Sequence, residues 1–246
     1  MLMKIIYTAL LAFCLFNVQL LNAATRCIAV ILYHNIEEGD KSRYNTTPLQ
    51  LESQLSYLKA RGFHSISMQQ FMRFIEKKPV LLPEKPVMFQ VDDGNASIYH
   101  NGWPVFRKYE FRFVNFINPS VIDSRRFLSW SQVIELEKEG NQAENHSYSH
   151  KNLTRVNHKK LLSEVNFSRK LMGQKLSRPV DYFAIPFGSL NNRVSKVVKQ
   201  EHKGAFTSFM GCNKPGGNRY KLLRYTIHQD FKFKNRIKSI EKQMGY

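Results

Sequence analysis

From residue 28 onward, short apolar runs alternate with stretches whose apolar positions recur at helical spacing. Residues 29–33 (AVILY) form an unbroken apolar run, as expected of a strand buried on both faces. Leu51, Leu55 and Leu58 are spaced for one helix face, and Gly62 follows as a stop signal. Residues 64–67 predict a short strand, and 69–77 a helix with Phe71, Met72 and Ile75 inward. Residues 87–91 (VMFQV) predict the next strand, followed by a loop and helix to about Tyr109 and a strand over 112–117. Ser129 and Gln132 make a capping-box pattern for the helix containing Val133, Ile134 and Leu136, which Gly140 ends. A strand over 142–145, a helix over 158–176, a strand over 182–185, a helix over 193–202 and strands over 205–209 and 222–227 complete the series. About seven strands alternating with helices argue for a parallel α/β fold. No glycine-rich dinucleotide fingerprint appears, so a closed or partly closed barrel fits better than an open sheet. The expected architecture is one domain over residues 25–246, a distorted (β/α)7–8 barrel.

The first two dozen residues break this rhythm. Lys4 precedes the charge-free stretch 5–24, and Leu21-Asn22-Ala23-Ala24 ends it with small residues. A basic start, an apolar run and a small-residue exit read as a secretory signal over 1–24, giving a secreted or periplasmic protein. The alternative is an uncleaved membrane anchor, which Asn17, Gln19 and Asn22 weaken. Without the leader, Cys27 and Cys212 remain. Cys27 precedes the first strand and Cys212 follows a late one, which places them at opposite ends of a barrel and predicts two separate cysteines.

Composition changes the picture in one respect. Hydrophobic residues make up 43% of the 246, enough for a sizeable core, but the formal net charge is +18. Such a surface favours anionic polymers or anionic envelope surfaces. The Lys and Arg are scattered rather than gathered on one helix, and with the export signal this argues against a nucleic-acid partner.

Candidate chemistry falls where strands finish. His34 ends AVILYH, Asp92-Asp93-Gly94 ends VMFQVDDG, His146 to His150 (HSYSH) follows QAEN, and Pro186-Phe187-Gly188 ends YFAIPFG. In an α/β barrel the C-terminal ends of the strands form the active-site face. His146 and His150 are four apart, so one helical turn would aim both imidazoles the same way. Two imidazoles and a carboxylate suit zinc or another divalent cation with a position open for water. One of the adjacent aspartates can bind the metal while the other takes a proton from the water that attacks.

On these residues the chain resembles the polysaccharide deacetylase family (carbohydrate esterase family four), in particular its secreted poly-N-acetylglucosamine deacetylase branch. The family's TFDDG motif appears as Gln90-Val91-Asp92-Asp93-Gly94, and its H-S/T-x-x-H motif as His146-Ser147-Tyr148-Ser149-His150. Tyr33-His34, the stretch 51–62, FLSWSQVIELEKEG, YFAIPFG and GAFTSF…LLRYTI extend the likeness over about residues 29–228. The resemblance implies a distorted barrel holding one divalent cation, zinc with cobalt or nickel as alternatives, on Asp93, His146 and His150. Asp92 would be the general base, a backbone N–H near Phe187 within Pro186-Phe187-Gly188 would help hold the oxyanion, and Ser147 would orient the histidine loop. The substrate class implied is an N-acetylated glycan.

Two positions depart from the pattern. Ala184 stands where the family usually has the arginine that fixes the base, so another group must orient Asp92. The late histidine that protonates the leaving amine has only a loose match in His228, and His34 is a second candidate. These departures leave open a barrel that binds glycans without turning them over. A third reading is a basic protein that binds an anionic polymer or membrane through charge alone.

Overall fold

The computed structural model describes residues 26–246, so the leader expected over residues 1–24 lies outside the described residues. The run AVILY is β1 (Ala29–Tyr33), buried along its whole length. Ala29, Ile31 and Tyr33 face the surrounding helices, whereas Val30 faces inward with Met88, Val114, Phe116, Ala184 and Phe206. That alternation is the period of two of a strand, here apolar on both faces. Around the sheet the hydrogen-bonded order is β10 (Tyr225–Thr226), β1, β5 (Lys85–Asp93), β6 (Phe113–Ile117), β7 (Gln142–Asn145), β8 (Tyr182–Ala184) and β9 (Gly204–Phe206). Every one of these pairings is parallel.

Val87 pairs with Ala29 on one side and with Ser65 of β4 (Phe63–Ser65) on the other. The edge of β5 that begins against β4 therefore continues against β6. Leu222, just ahead of β10, bridges to Phe206 of β9, while β10 itself pairs with β1. One segment thus touches both edges and curls the sheet into the expected distorted barrel.

Helices fill the crossovers. α1 (Pro48–Ala60), α2 (Met68–Ile75) and α4 (Trp130–Lys138) each start on a reciprocal capping box: Thr47 with Gln50, Ser67 with Gln70 and Ser129 with Gln132. A cap of this kind stabilises a helix start by about 1 kcal/mol. α3 (Trp103–Lys108) links β5 to β6. Met68, Phe71, Met72 and Ile75 of α2 pack among the inward-facing strand residues. The helix expected over 158–176 is α5 (His158–Leu162) and α6 (Ser168–Leu176), joined by a wider π-type turn at Ser163–Phe167. α7 (Asn192–Glu201) precedes β9, and a further helix, α8 (Phe233–Met244), packs Phe233, Ile237, Ile240 and Met244 onto the core. α8 begins after Lys232 with no side-chain cap, so it lacks the start signal that α1, α2, α4, α5 and α7 carry. Among the described residues no helix is long and apolar enough to cross a membrane.

The two cysteines overturn the expectation that they stay apart. Cys27 and Cys212 form a disulfide with their Cα atoms 5.6 Å apart. The chain leaving β9 does not remain at the far end of the barrel. By Asn213 it has returned to the start of β1, where it exchanges two backbone hydrogen bonds of 2.9 Å with Ile28.

Candidate active site

Asp92 follows Met88 and Gln90 on the inward face of β5, which places its carboxylate inside the barrel mouth at 2% exposure. At Asp93 the backbone turns left-handed (φ 76°), and Gly94 continues the turn at φ 73°. A Cβ on Gly94 would meet the Ile117 side chain at 3.1 Å, so both the angle and the space call for glycine there. The turn sends the two aspartates in different directions: Asp92 stays buried, and the Asp93 side chain is 34% exposed.

β7 ends on Asn145, whose Oδ1 accepts the Ser147 N–H at 2.9 Å and the Ser168 hydroxyl at 2.7 Å. Ser147, fully buried, accepts the His150 N–H on its Oγ at 3.0 Å. Ser147 and His150 both hold positive φ, at 67° and 53°. The histidines therefore converge through a tight, non-helical turn rather than through the helical turn expected from their spacing, with ring centroids 4.8 Å apart. Glu164 reaches under this turn and accepts from the Ser149 N–H (2.7 Å) and hydroxyl (2.6 Å), a support absent from the sequence reading.

The turn delivers both Nε2 atoms to one carboxylate oxygen. Asp93 Oδ1 lies 3.5 Å from His146 Nε2 and 3.4 Å from His150 Nε2, and one donor atom from each of the three residues falls within 4.8 Å of the others. His146 Nδ1 is 2.8 Å from the Ala184 carbonyl. A hydrogen bond there requires the proton on Nδ1 and leaves the Nε2 lone pair free for a ligand. Burial pushes the His150 imidazole below the ordinary histidine value, with His146 adding to that and the two aspartates opposing it. A neutral imidazole is the form that binds metal. The donor set therefore fits a divalent cation such as zinc.

What orients Asp92 is Arg224, one residue ahead of β10. Its Nη1 donates to both oxygens of Asp92, at 2.9 and 2.8 Å, and its Nε donates to the Thr207 carbonyl at 2.8 Å. The guanidinium is only 1% exposed. Burial alone would push the Asp92 carboxyl up. The Arg224 charge, joined by His146 and His34, outweighs burial and holds it below the usual carboxylate value. The cation sought at position 184 thus comes from the segment ahead of β10, which removes one of the two reasons for reading the barrel as binding-only. The signal was in the sequence: Leu222-Leu223-Arg224-Tyr225-Thr226-Ile227 sets one charge inside an apolar strand pattern, and a buried arginine needs a buried anion.

Of the remaining predicted residues, His34, Phe187 and His228 line one cavity of about 450 Å³ with Asp92, Asp93, His146 and His150, whereas Pro186 and Gly188 are buried behind it. His34 stacks on Tyr44 with centroids 5.1 Å apart, and its Nδ1 is buried without a partner. Burial lowers its pKa below the ordinary histidine value, against the pull of Asp92 and Asp93. His228 follows β10, the strand paired with β1, and so stands beside His34; its Nδ1 is also buried without a hydrogen-bond partner, 4.0 Å from Asp230, and its ring is edge-on to Phe231. Phe187 holds φ 59° and lays its ring against His150 at 4.6 Å. In the same turn the Gly188 N–H is committed to the Ile185 carbonyl at 2.9 Å and the Ser189 N–H to that of Pro186 at 3.2 Å.

Comparison with known proteins agrees with this geometry. Residues 81–203 match the family described as polysaccharide deacetylase. The chain is 26% identical over 214 residues to a poly-beta-1,6-N-acetyl-D-glucosamine N-deacetylase of Staphylococcus aureus, covering 81% of this chain and 73% of that protein. The fold matches the Streptococcus pyogenes deacetylase PplD in complex with acetate, with a TM-score of 0.82 and 19% identity over 88% of this chain and 99% of that one. It also matches IcaB from Ammonifex degensii, with a TM-score of 0.76 and 21% identity over 83% of this chain and 93% of that one.

Proposed function

The chain belongs to the polysaccharide deacetylase family and is an N-deacetylase of glycans, and on that premise we propose how its own residues divide the work. Asp93, His146 and His150 hold one divalent cation, zinc in the first instance, with cobalt or nickel suited to the same donors. When bound, the cation polarises the acetamide carbonyl and lowers the pKa of water at the site. Asp92 is the general base. Arg224 keeps it ionised, and it stands 3.6 Å from His146 Nε2, beside the ligand set rather than within it. It takes one proton as water attacks the carbonyl carbon; the C–N bond then breaks, the nitrogen leaves as the amine and the acyl group leaves as acetate.

The Phe187 N–H is the uncommitted donor of its turn and serves the developing oxyanion. His34 protonates the leaving nitrogen: it lines the cavity with Asp92 and carries an unpartnered ring nitrogen. His228, at the end of the neighbouring strand and with an unpartnered Nδ1 of its own, contacts the sugar. Ser147 keeps the His150 backbone in place through its Oγ. The substrate is an N-acetylated amino sugar inside a polymer, a reading supported by the S. aureus relative.

The observation that carries this reading is the Asp92–Arg224 pair set against the ligand triad. Metal analysis joined to acetate release tests it. The purified protein is expected to hold one equivalent of cation and to release acetate from N-acetylglucosamine oligomers in a chelator-sensitive way. Asp92→Asn is expected to keep the metal and lose about 10²–10⁴-fold in kcat. Full activity in Asp92→Asn, or no bound metal, would sink the assignment.

Residues 1–24 and the disulfide together support export, with cleavage after Ala24, since disulfides persist in oxidising compartments. N-terminal sequencing of the protein recovered from outside the cytoplasm checks the cleavage site.

A further inference from the structure

The active cavity does not end at His228. A second cavity of about 300 Å³ shares Met210 and His228 with it, and is walled by Asp230, Phe231, Lys232, Asn235 and Arg236. On the other side of the ligand triad, a cavity of about 310 Å³ shares Asp93 and His150 with the active one. The triad therefore stands where two of three adjoining cavities meet, with room for a polymer that continues past the reacting sugar in both directions.

The two flanks differ in charge. Beyond Asp93 and His150 the walls are uncharged: Asn35, Asn95, Asn118 and Ser149 with the apolar Val121 and Phe127. Beyond His228 they carry Lys232 and Arg236, four residues apart and so on one face where the chain enters α8. Among the described residues neither forms an ion pair with an acid. The one carboxylate in that cavity, Asp230, faces Arg43 at 3.8 Å across the boundary with the active cavity. The local balance is thus three cations to one anion, on one side only. General basicity of the surface would charge both flanks alike. Phe231 adds an apolar floor beneath the Arg236 guanidinium, which lies 5.9 Å from its ring centroid. A sugar laid against Phe231, with an anionic substituent toward Lys232 and Arg236, matches the aromatic ring and both unpaired cations of this wall.

We propose that the Lys232–Arg236 cavity is a second sugar subsite that takes an anionic substituent, a carboxylate or a phosphate, on the residue next to the N-acetylated sugar being deacetylated. This rests on the deacetylase reading and narrows it: the preferred polymer carries negative charge on a neighbour, not only N-acetylglucosamine.

The test uses the full metal-loaded protein and three oligosaccharides of equal length. One is built of N-acetylglucosamine alone, one alternates it with a carboxylate-bearing N-acetylmuramic acid, and one carries a phosphate on alternate residues. Acetate release and equilibrium binding are measured for each at low and high salt, with the parent protein and with Lys232→Gln/Arg236→Gln. An anionic oligomer is expected to show about tenfold higher kcat/KM than the neutral one, a preference lost at high salt and in the double variant. Activity of the double variant on the neutral oligomer stays unchanged. Whichever anionic oligomer is preferred identifies the source of the charge. Equal kcat/KM on neutral and anionic oligomers, or a preference that survives the double substitution, overturns the proposal while leaving the deacetylase reading intact. If no oligomer releases acetate, the deacetylase reading fails. Binding then decides the subsite alone, supporting it if only the parent protein retains the anionic oligomers and overturning it otherwise.

Discussion

At the C-terminal ends of the strands Asp93, Ser147, His150 and Phe187 all hold left-handed backbone angles. On the way into the N-terminal ends Lys77, Glu110 and Ser177 hold such angles too, but there the chain is tied by the Cys27–Cys212 disulfide and by Glu241, which bridges Arg61 and Lys85. Each left-handed residue other than glycine costs about 1–2 kcal/mol, so four of them tax the fold at the end where the chemistry sits. The opposite end carries covalent and ionic ties that touch no reacting group. The contrast teaches that the strain aiming the ligands is tolerable because stability is supplied elsewhere. It follows that substitutions at the two ends should separate activity from stability.

The largest expected effect comes from the one group that serves both. Arg224→Met leaves Asp92 buried without its cation, a change that costs about 3–5 kcal/mol of stability. Arg224 is also the main influence lowering the Asp92 pKa, so its loss raises that pKa and moves the acid limb of the kcat/KM profile to higher pH. A pH–rate profile joined to denaturant unfolding reads both effects, and an acid limb that stays in place would break the assignment of Arg224.

Next is the purely structural end. Cys27→Ser/Cys212→Ser opens a closure that spans 185 residues, worth about 5 kcal/mol in the loop-entropy account and typically about 2–5 kcal/mol in practice. The midpoint of urea unfolding should fall while kcat of the folded fraction holds. A matching collapse of kcat would show that the two ends are not separable.

The smallest effect lies behind the site. His202 Nε2 is 3.1 Å from Asn145 Nδ2, the same Asn145 that anchors Ser147, and it accepts that proton only while neutral. Burial, with Arg169 adding, lowers its pKa from 6.5 to about 3. Between these values the unfolded chain binds a proton that the folded one does not. Stability is therefore complete above about pH 6.5 and falls by about 2 kcal/mol by pH 5, at about 1.4 kcal/mol per unit. His202→Gln should flatten that slope between pH 7.5 and 5 in urea unfolding.

The sequence shows the strands and ligands more clearly than their support. AVILY and VMFQV read as buried strands because both faces are apolar, and Ser129 with Gln132 marks a helix start through local chemistry alone. The aspartates and histidines are legible because strand ends gather them on one face of a barrel. The apolar run around Arg224 signals a buried cation but not which anion it meets, and Glu164 and the disulfide carry no such signal, since each depends on where distant segments meet. Cys212 is the clearest case: its partner is set by a return of the chain after β9 that no periodicity in 207–213 announces.

Arg224 lies 132 residues beyond the carboxylate it orients. A ribosome makes chain from the N-terminus, so the base and all three ligands emerge long before the cation that completes them. Until then Asp92 has no guanidinium to enter the interior with, and the barrel has no β10 to close it. Closure, charge neutralisation and assembly of the base thus become a single late event in biosynthesis. Activity in this protein therefore requires the chain to have been made and folded as far as β10.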